Sequence, residues 1–193
     1  MKKHILSLSL LFTCLTVLAQ DFEYEYEGTK LTYTIINEDA KICKLKDGFY
    51  DNNTYNFKAG NNVSGDVVIP SEANAYKVTE IPDYAFYNCR DLNSITIPNS
   101  ITSIGRYAFY NCEGLSAVYI TDIAAWCNIS FGDNPLPYAH NLYLNGEKVT
   151  DLVIPDGVTN IGLRAFSGCN GLISITIPNS VTYINDDAFM DCI

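Results

Sequence analysis

The 193-residue sequence has very few side chains that are suited to proton transfer or metal binding. It contains two histidines, His4 and His140, and a single tryptophan. His4 falls in the N-terminal leader described below, which leaves His140 as the one histidine of the remaining chain. Because imidazole groups supply most proton shuttles near neutral pH and many zinc ligands, one histidine leaves little material for either function.

Positive charge is scarce as well. Twelve Lys and Arg residues stand against 22 Asp and Glu residues, and beyond position 19 the numbers are 10 and 22, a formal net charge of −12. A surface of this sign repels the phosphates of nucleic acids and the headgroups of anionic lipids. We therefore expect no nucleic-acid partner and no binding to an anionic membrane surface.

Motifs of known catalytic or cofactor sites are missing. The sequence contains no G-x-S-x-G, G-x-G-x-x-G, H-E-x-x-H or calcium-loop pattern. Cys127 and His140 form the one candidate thiol–imidazole pair, and no orienting group or oxyanion site accompanies them in the pattern. We expect a non-enzymatic protein with no catalytic residue, no cofactor and no metal.

Residues 1–19 have the pattern of a secretory signal peptide. Lys2 and Lys3 provide a basic start, residues 5–18 are mostly apolar, and Ala19 ends a small-residue cleavage pattern. Lipid attachment at Cys14 is the less favoured alternative, because the apolar run continues beyond it. No later stretch reaches the roughly 20 apolar residues of a membrane span. The sequence thus predicts a secreted or cell-surface protein without a transmembrane segment.

A repeat with a step of 23 residues dominates the rest of the chain. The hexapeptide Ile-Thr-Ile-Pro-Asn-Ser occurs at 95–100 and again at 175–180, and this separation equals three steps plus 11 residues. One coil is therefore 11 residues longer than the others. The Ala-Phe pair keeps the same step at Ala85-Phe86, Ala108-Phe109, Ala165-Phe166 and Ala188-Phe189, as do Cys89, Cys112, Cys169 and Cys192.

A unit of 23 residues cannot bury its apolar face alone, so the units must stack on one another. Alternation around Ile95 and Ile97 predicts a short strand that Pro98 ends, after which Ile101 and Ile104 return to the core. We predict a solenoid of about five coils over residues 63–193, with an enlarged third coil at 121–151. The stacking is expected to place four phenylalanines in one buried column: Phe86, Phe109, Phe166 and Phe189.

The aligned pattern Cys-x-x-Leu-x-x-Ile-x-Ile-Pro, followed by Ile/Val-x-x-Ile and Ala-Phe, resembles the BspA-like bacterial leucine-rich repeats over about residues 64–193. It differs from the commoner leucine-rich pattern, in which Asn or Cys follows the strand. The resemblance implies a right-handed, β-rich leucine-rich repeat solenoid with a parallel sheet and short turns or 3-10 elements. It also implies an exported surface protein associated with adhesion and host-protein binding, although the repeat residues do not fix those functions.

Both ends of the repeat region differ from its interior. Residues 20–62 lack the repeat, and alternation on either side of Gly28-Thr29-Lys30 predicts a β-hairpin, with a further strand at 40–45. We predict that this segment is a β cap over the first coil. The sequence stops at Ile193, where the next strand would begin. A shortened gene product, a fragment of a longer protein and an end that pairs with a partner stay open as explanations.

The enlarged coil contains two local signals and several aromatic residues. Asn145-Gly146 predicts a two-residue hairpin turn, and Asp122 predicts the N-cap of a helical turn. For Trp126 we favour packing within the coil over contact with a ligand. Tyr138 and Tyr143 are expected to show a face to solvent.

Six cysteines follow the leader, an even number that suggests disulfides in an exported protein. Cys89 and Cys112 would however stack with Cβ atoms near the strand spacing of about 4.8 Å, beyond the roughly 3.5–4.5 Å of a disulfide. We favour reduced, buried cysteines in the repeated positions, and leave the state of Cys43 and Cys127 open.

The outward strand positions predict the binding surface. They form two stripes, Asp66, Ser94, Ala117, Asp151, Ser174 and Val68, Thr96, Tyr119, Val153, Thr176. Such a flat face suits a protein partner, for which host matrix or surface proteins are candidates, with Tyr119 and Tyr143 as anchors. A glycan that stacks on Trp126 or Tyr138 is one alternative, and a truncated scaffold without independent activity is another. The same stripes are also compatible with ordinary strand formers on a solvated face.

Overall fold

The computed structural model describes residues 20–53, 56–135 and 141–192, which form a β-solenoid of about five turns. The leader, Tyr138 and His140 lie outside these ranges. The described elements, in chain order, are β1 Asp21–Tyr26, β2 Thr29–Asn37, β3 Ile42–Leu45, β4 Phe49–Asp51, β5 Asn56–Lys58, β6 Gly65–Val68, β7 Glu72–Ala73, β8 Tyr76–Ile81, β9 Leu92–Thr96, β10 Ser103–Ile104, β11 Ala117–Ile120, α1 Ile123–Cys127, β12 Ser130–Phe131, β13 Leu142–Leu144, β14 Glu147–Lys148, β15 Asp151–Val153, β16 Asn160–Ile161, β17 Ser174–Thr176 and β18 Tyr183–Ile184.

The first strand of each coil stacks in parallel on its counterparts. A five-stranded sheet has the order β14-β13-β11-β9-β6, in which only β14 runs antiparallel to its neighbour. β15 and β17 form a separate parallel pair. Inward side chains such as Val67, Ile95 and Val118 are aligned by this register and are fully buried. Period-two alternation therefore gives every coil one apolar and one outward row, as the sequence predicts.

A second row of short parallel strands lies on the return path of each coil. β8, β10 and β12 are neighbours, and β16 pairs with β18. Ile101 and Ile104 return to the core, where each is 2% exposed. The repeat pattern predicts that both isoleucines are buried. It does not predict the strand at Ser103–Ile104, because two residues are too few to show an alternation.

The phenylalanines of the Ala-Phe turns form two stacked pairs, and Phe189, the last residue of the predicted buried column, is only half-buried. The ring centroids of Phe86 and Phe109 are 5.5 Å apart, and those of Phe166 and Phe189 are 5.4 Å apart. The enlarged coil lies between the two pairs, and its helix α1 lies between β11 and the return strand β12, whereas the Ala-Phe turn of a regular coil follows the return strand.

The N-terminal segment contains the predicted hairpin, with its turn shifted toward the N-terminus. β1 and β2 pair antiparallel with Tyr26 opposite Thr29, so Glu27 and Gly28 are the turn residues, with φ of 49° and 81°. β3 then pairs in parallel with β8 and joins the hairpin to the solenoid sheet. β4 and β5 form a small antiparallel pair that the polar sequence around them does not predict. The role of the segment as a cap stays a prediction.

The last described coil is more open than the inner ones. Ile175 and Ile177 are 38% and 42% exposed, whereas the equivalent Ile95 and Ile97 are 0% and 2% exposed. No further coil covers Ile175 and Ile177 within the described ranges, so the same sequence pattern buries less surface there.

Candidate binding surface

The outward side of the five-stranded sheet is the candidate binding surface, and we call it the sheet face. One row holds Asp66, Ser94 and Ala117 side by side. The next row holds Val68, Thr96, Tyr119 and Tyr143 on consecutive strands.

The register corrects the predicted stripes at one point. The neighbour of Tyr119 is Tyr143 on β13, not Val153, because the enlarged coil contributes a strand of its own. Val153 and Thr176 face each other on the separate pair β15–β17, where Val153 is 60% exposed. The predicted anchors Tyr119 and Tyr143 are thus brought together with Thr96, while Val153 and Thr176 belong to a second patch.

Tyr119 and Tyr143 stack on each other in the middle of the surface. Their ring centroids are 4.8 Å apart and the ring planes are inclined by 28°. Both side chains are half-buried. A stacked pair restrains two large rings before any partner arrives, which lowers the entropy that binding must remove.

A shallow depression of about 400 Å³ opens beside this pair. Its lining includes Asp66, Ser94, Thr96, Ala117 and Tyr119. Small side chains on three adjacent strands leave this space open, and the large ring of Tyr119 borders it. The sheet face therefore contains a concave site beside the stacked tyrosines.

Aspartate and serine residues pair across neighbouring strands of the outward rows. The Ser94 hydroxyl donates to Asp66 Oδ1 at 2.7 Å, and the Ser174 hydroxyl donates to Asp151 Oδ1 at 2.6 Å. None of the ion pairs among the described residues includes Asp66 or Asp151. The outward rows thus carry two carboxylates whose charge is not neutralised by a neighbouring cation.

Trp126 is a core residue, and the favoured packing prediction is confirmed. Its side chain is 1% exposed, its ring contacts Phe131 at 5.1 Å, and its indole N–H donates to the Ala165 carbonyl at 2.9 Å. A ring buried on both faces cannot stack on a sugar, so the glycan alternative is wrong for Trp126. The role of Tyr138 in that alternative falls outside the described residues.

The enlarged coil contains both the helix and the hairpin that its local signals predict. The Asp122 side chain accepts a hydrogen bond from the Ala125 N–H at 3.0 Å and so caps α1. Asn145 and Gly146, with φ of 51° and 88°, form the turn between β13 and β14. Both local predictions are confirmed.

A second aromatic surface lies on the turns of the first two coils, and we call it the aromatic corner. It consists of Phe57, Tyr84, Tyr87, Tyr107 and Tyr110. Phe57 stacks on Tyr84 at 4.3 Å, and Tyr84 stacks on Tyr107 at 5.3 Å. This surface is not among the predicted sites, although the tyrosines that flank Ala-Phe repeat with the same step of 23 residues.

Five of the six described thiols are buried, and Cys192 is half-buried. All six described cysteines are free. The four cysteines of the repeated positions are unbridged in the structure, and their reduced state stays a prediction; Cys43 and Cys127 are unbridged as well. Burial raises the pKa of Cys112, Cys127 and Cys169 to about 12, so these thiols stay protonated at neutral pH. His140, the proposed partner of Cys127, lies outside the described residues.

The repeated cysteines make hydrogen bonds between coils. The Cys112 thiol donates to the Phe86 carbonyl at 3.0 Å, and the Cys192 thiol donates to the Phe166 carbonyl at 2.9 Å. Their position in the turn therefore has a structural explanation. Within the described ranges, no group of His, Cys, Asp and Glu residues has a metal-binding arrangement. In the same ranges, no helix has the length and apolar character needed to cross a membrane.

Comparison with known families gives one match that covers more than half of the chain. Residues 57–134 and 139–193 match six copies of the repeat described as "BspA type Leucine rich repeat region". No curated protein matches the sequence.

Solved structures of bacterial leucine-rich repeat proteins resemble the chain. A leucine rich cell surface protein from Faecalibacterium prausnitzii is 26% identical with a TM-score of 0.51, and the match covers 88% of this chain and 46% of that protein. The T. pallidum leucine rich repeat protein is 24% identical with a TM-score of 0.48, and the match covers 84% of this chain and 64% of that protein. The chain therefore spans less than two thirds of the length of either protein.

Proposed function

Because this chain belongs to the BspA-type leucine-rich repeat family, we propose that it is an exported, non-enzymatic module that binds a protein partner at the bacterial surface through its sheet face. The observation that carries the proposal is the stacked pair Tyr119–Tyr143 beside the depression over Ala117. The signal-peptide pattern of residues 1–19 supports the exported location.

The form of the sheet face supports a macromolecular partner. Four parallel strands and the short β14 present a continuous surface, whereas pockets for small molecules enclose most of their ligand. Tyrosine is enriched among the residues that dominate binding energy at protein interfaces. Tyr119 and Tyr143 occupy the centre of the face, where such residues have the largest effect.

The state of the thiols supports a non-enzymatic role. A nucleophilic cysteine needs a lowered pKa and access to substrate. Cys127 is buried, and its burial raises the pKa instead of lowering it. A covalent reaction through this thiol would require local unfolding.

The test begins with purified mature protein, exposed to matrix and cell-surface extracts, and mass spectrometry of what is captured. Binding of the captured partner is then measured by surface plasmon resonance for wild type and for a Tyr119→Ala/Tyr143→Ala double variant. We expect the double variant to lose about 10- to 100-fold in affinity.

The matched control is Tyr183→Ala on β18, which removes a ring that is 59% exposed on the other row of strands. We expect its affinity to equal that of wild type. Equal binding by the double variant and the wild type for every captured partner would refute the proposal for the sheet face.

A further inference from the structure

The partner of the sheet face can be described more closely if that face is the binding site. We propose that the partner is basic, and that one of its Arg or Lys side chains enters the depression over Ala117, between Asp66 and Tyr119. This inference rests on the proposed function, because it concerns the same surface.

The shape of the depression fits an elongated side chain. Val68, Thr96 and Ala117 come from three adjacent strands and leave open space above the sheet. Tyr119 borders that space, and Tyr143 stacks on the ring from the side of β13. The opposite face of the Tyr119 ring is therefore turned toward the depression, where a cation can lie over it.

The charge of the depression is negative and has a single source. Among its lining residues, Asp66 is the one with a formal charge. Ser94 donates to one carboxylate oxygen, which orients the group without neutralising it. Some acidic residues of the described chain, such as Asp21, Glu38 and Asp133, form ion pairs with Lys or Arg at 2.6–3.1 Å, and Asp66 forms none there. Asp66 thus offers an oriented carboxylate whose charge has no ion-pair partner among the described residues.

The same arrangement recurs farther along the chain. Asp151 accepts from Ser174 as Asp66 accepts from Ser94, its second oxygen accepts from the Thr150 hydroxyl at 3.1 Å, and it is likewise absent from the ion pairs of the described residues. The whole chain carries a formal charge of −10. A basic segment would be attracted by the overall field and positioned by the two oriented carboxylates. An acidic or uncharged partner on the sheet face would leave the charge of Asp66 without a cation.

A library of random 12-residue peptides displayed on phage provides a probe that does not depend on the natural partner. The library is selected on immobilised wild-type protein and, in parallel, on an Ala117→Leu variant that fills the depression. We expect the wild-type selection to enrich Arg and Lys above their frequency in the unselected library. We expect this enrichment to be absent for Ala117→Leu.

The charge is tested separately by binding of the best selected peptide to Asp66→Asn. Asparagine keeps the shape and an acceptor oxygen for Ser94 but removes the charge. We expect about tenfold weaker binding for this variant, and a smaller salt dependence than for wild type. Asp39→Asn, on the exposed turn after β2, removes the same charge elsewhere and should bind as wild type does.

The outcomes separate the inference from the proposed function. Selected peptides without excess Arg or Lys that still require Tyr119 and Tyr143 would overturn the basic partner and leave the binding face intact. Basic peptides that bind Asp66→Asn and Asp39→Asn equally well would overturn the site at Asp66. Circular dichroism of each variant, compared with wild type, confirms that a loss of binding is not a loss of folding.

Discussion

The enlarged coil divides the solenoid into a first half before it and a second half after it. The turns of the two halves have the same backbone conformation but differ in side-chain chemistry. In the first half, Phe57, Tyr84 and Tyr107 stack as rings along the corner. In the second half, Arg164 forms ion pairs with Asp133 at 3.1 Å and with Asp187 at 3.2 Å. The equivalent position immediately before the Ala-Phe pair is therefore a tyrosine in the first half, Tyr84 and Tyr107, and a charged residue in the second, Arg164 and Asp187.

The backbone of the two halves is nearly the same at these positions. The φ angle is 57° at Tyr84 and 55° at Arg164, which is the left-handed region that non-glycine residues rarely enter. The Tyr84 N–H donates to the next turn at 3.0 Å, and the Arg164 N–H does so at 3.2 Å. Inward residues and hydrogen bonds between turns therefore maintain the coil, while the outward residues are free to differ.

Truncating an inward phenylalanine should lower the free energy of unfolding more than any other change proposed here. Doing so in each half tests whether the inward residues are equally important in both. Phe109→Ala and Phe166→Ala each remove a side chain that is at most 2% exposed and stacks on its counterpart in the adjacent coil. We expect each change to lower the free energy of unfolding by about 3–5 kcal/mol, because each leaves a cavity. Urea unfolding followed by circular dichroism measures the loss.

The control for these variants is Phe49→Ala, whose ring is 54% exposed on β4. We expect a loss of less than about 0.5 kcal/mol there. A small loss at Phe166 alongside a large loss at Phe109 would contradict the equivalence of the halves.

The buried thiols should make the free energy of unfolding depend on pH. Burial raises the pKa of Cys112 and of Cys169 from 9.0 to about 12. Below pH 9 both the folded and the unfolded chain carry protonated thiols, so the stability they support is fully present. Above pH 9 the unfolded chain ionises first, and the folded state loses up to about 1.4 kcal/mol per pH unit and thiol until the folded pKa is reached.

This dependence is isolated by comparing wild type with Cys112→Ala and with Cys169→Ala between pH 8 and 11. We expect the stability difference between wild type and each variant to shrink as the pH rises, to a similar extent in the two halves. A difference that stays constant across this range would show that the thiols ionise equally in the folded and unfolded chains.

Much of the solenoid could be predicted from the sequence, because each coil repeats the same inward slots. Burial of Ile95 and Ile104 follows from periodicity alone, and the helix cap at Asp122 follows from a local signal. The anchors of the candidate site were also foreseeable, since Tyr119 lies at an outward strand position. What periodicity indicates is which residues face in.

The sequence could not show how the irregular coil joins the regular ones. β13 lacks the Ile-x-Ile-Pro signature, so its alignment with Tyr119 emerges from stacking and not from a pattern. The aromatic corner is missed for a different reason. Its tyrosines lie in turns, where outward residues are not constrained by the core, and the later coils carry Arg164 and Asp187 in the same positions.

Trp126 lies at the junction between the two halves, where its indole N–H takes the place of the backbone N–H that donates in a regular turn. Its substitution should lower stability by a smaller amount. In the first half the Phe86 N–H donates to the Ala108 carbonyl of the next turn, whereas the Ala165 carbonyl accepts from the Trp126 indole N–H. Trp126→Phe removes that donor and leaves a buried carbonyl without its partner. We expect a loss of about 1–3 kcal/mol in urea unfolding. A variant as stable as wild type would show that the indole hydrogen bond does not hold the halves together.

The outward residues of the turns should contribute least to stability. One substitution in each half compares ring stacking with ion pairing. Tyr107→Ala removes stacking with Tyr84 and an edge contact with Tyr110, and we expect it to cost about 1 kcal/mol. Arg164→Ala removes two exposed ion pairs, and we expect a cost of about 0.5 kcal/mol. Unfolding at low salt and in 0.5 M NaCl separates the two mechanisms, because salt screens ion pairs and leaves ring stacking in place. The Arg164→Ala cost should therefore shrink in salt while the Tyr107→Ala cost persists. Equal salt sensitivity of the two variants would mean that the corner is stabilised by one mechanism in both halves, and that the observed difference between rings and charges has no energetic counterpart.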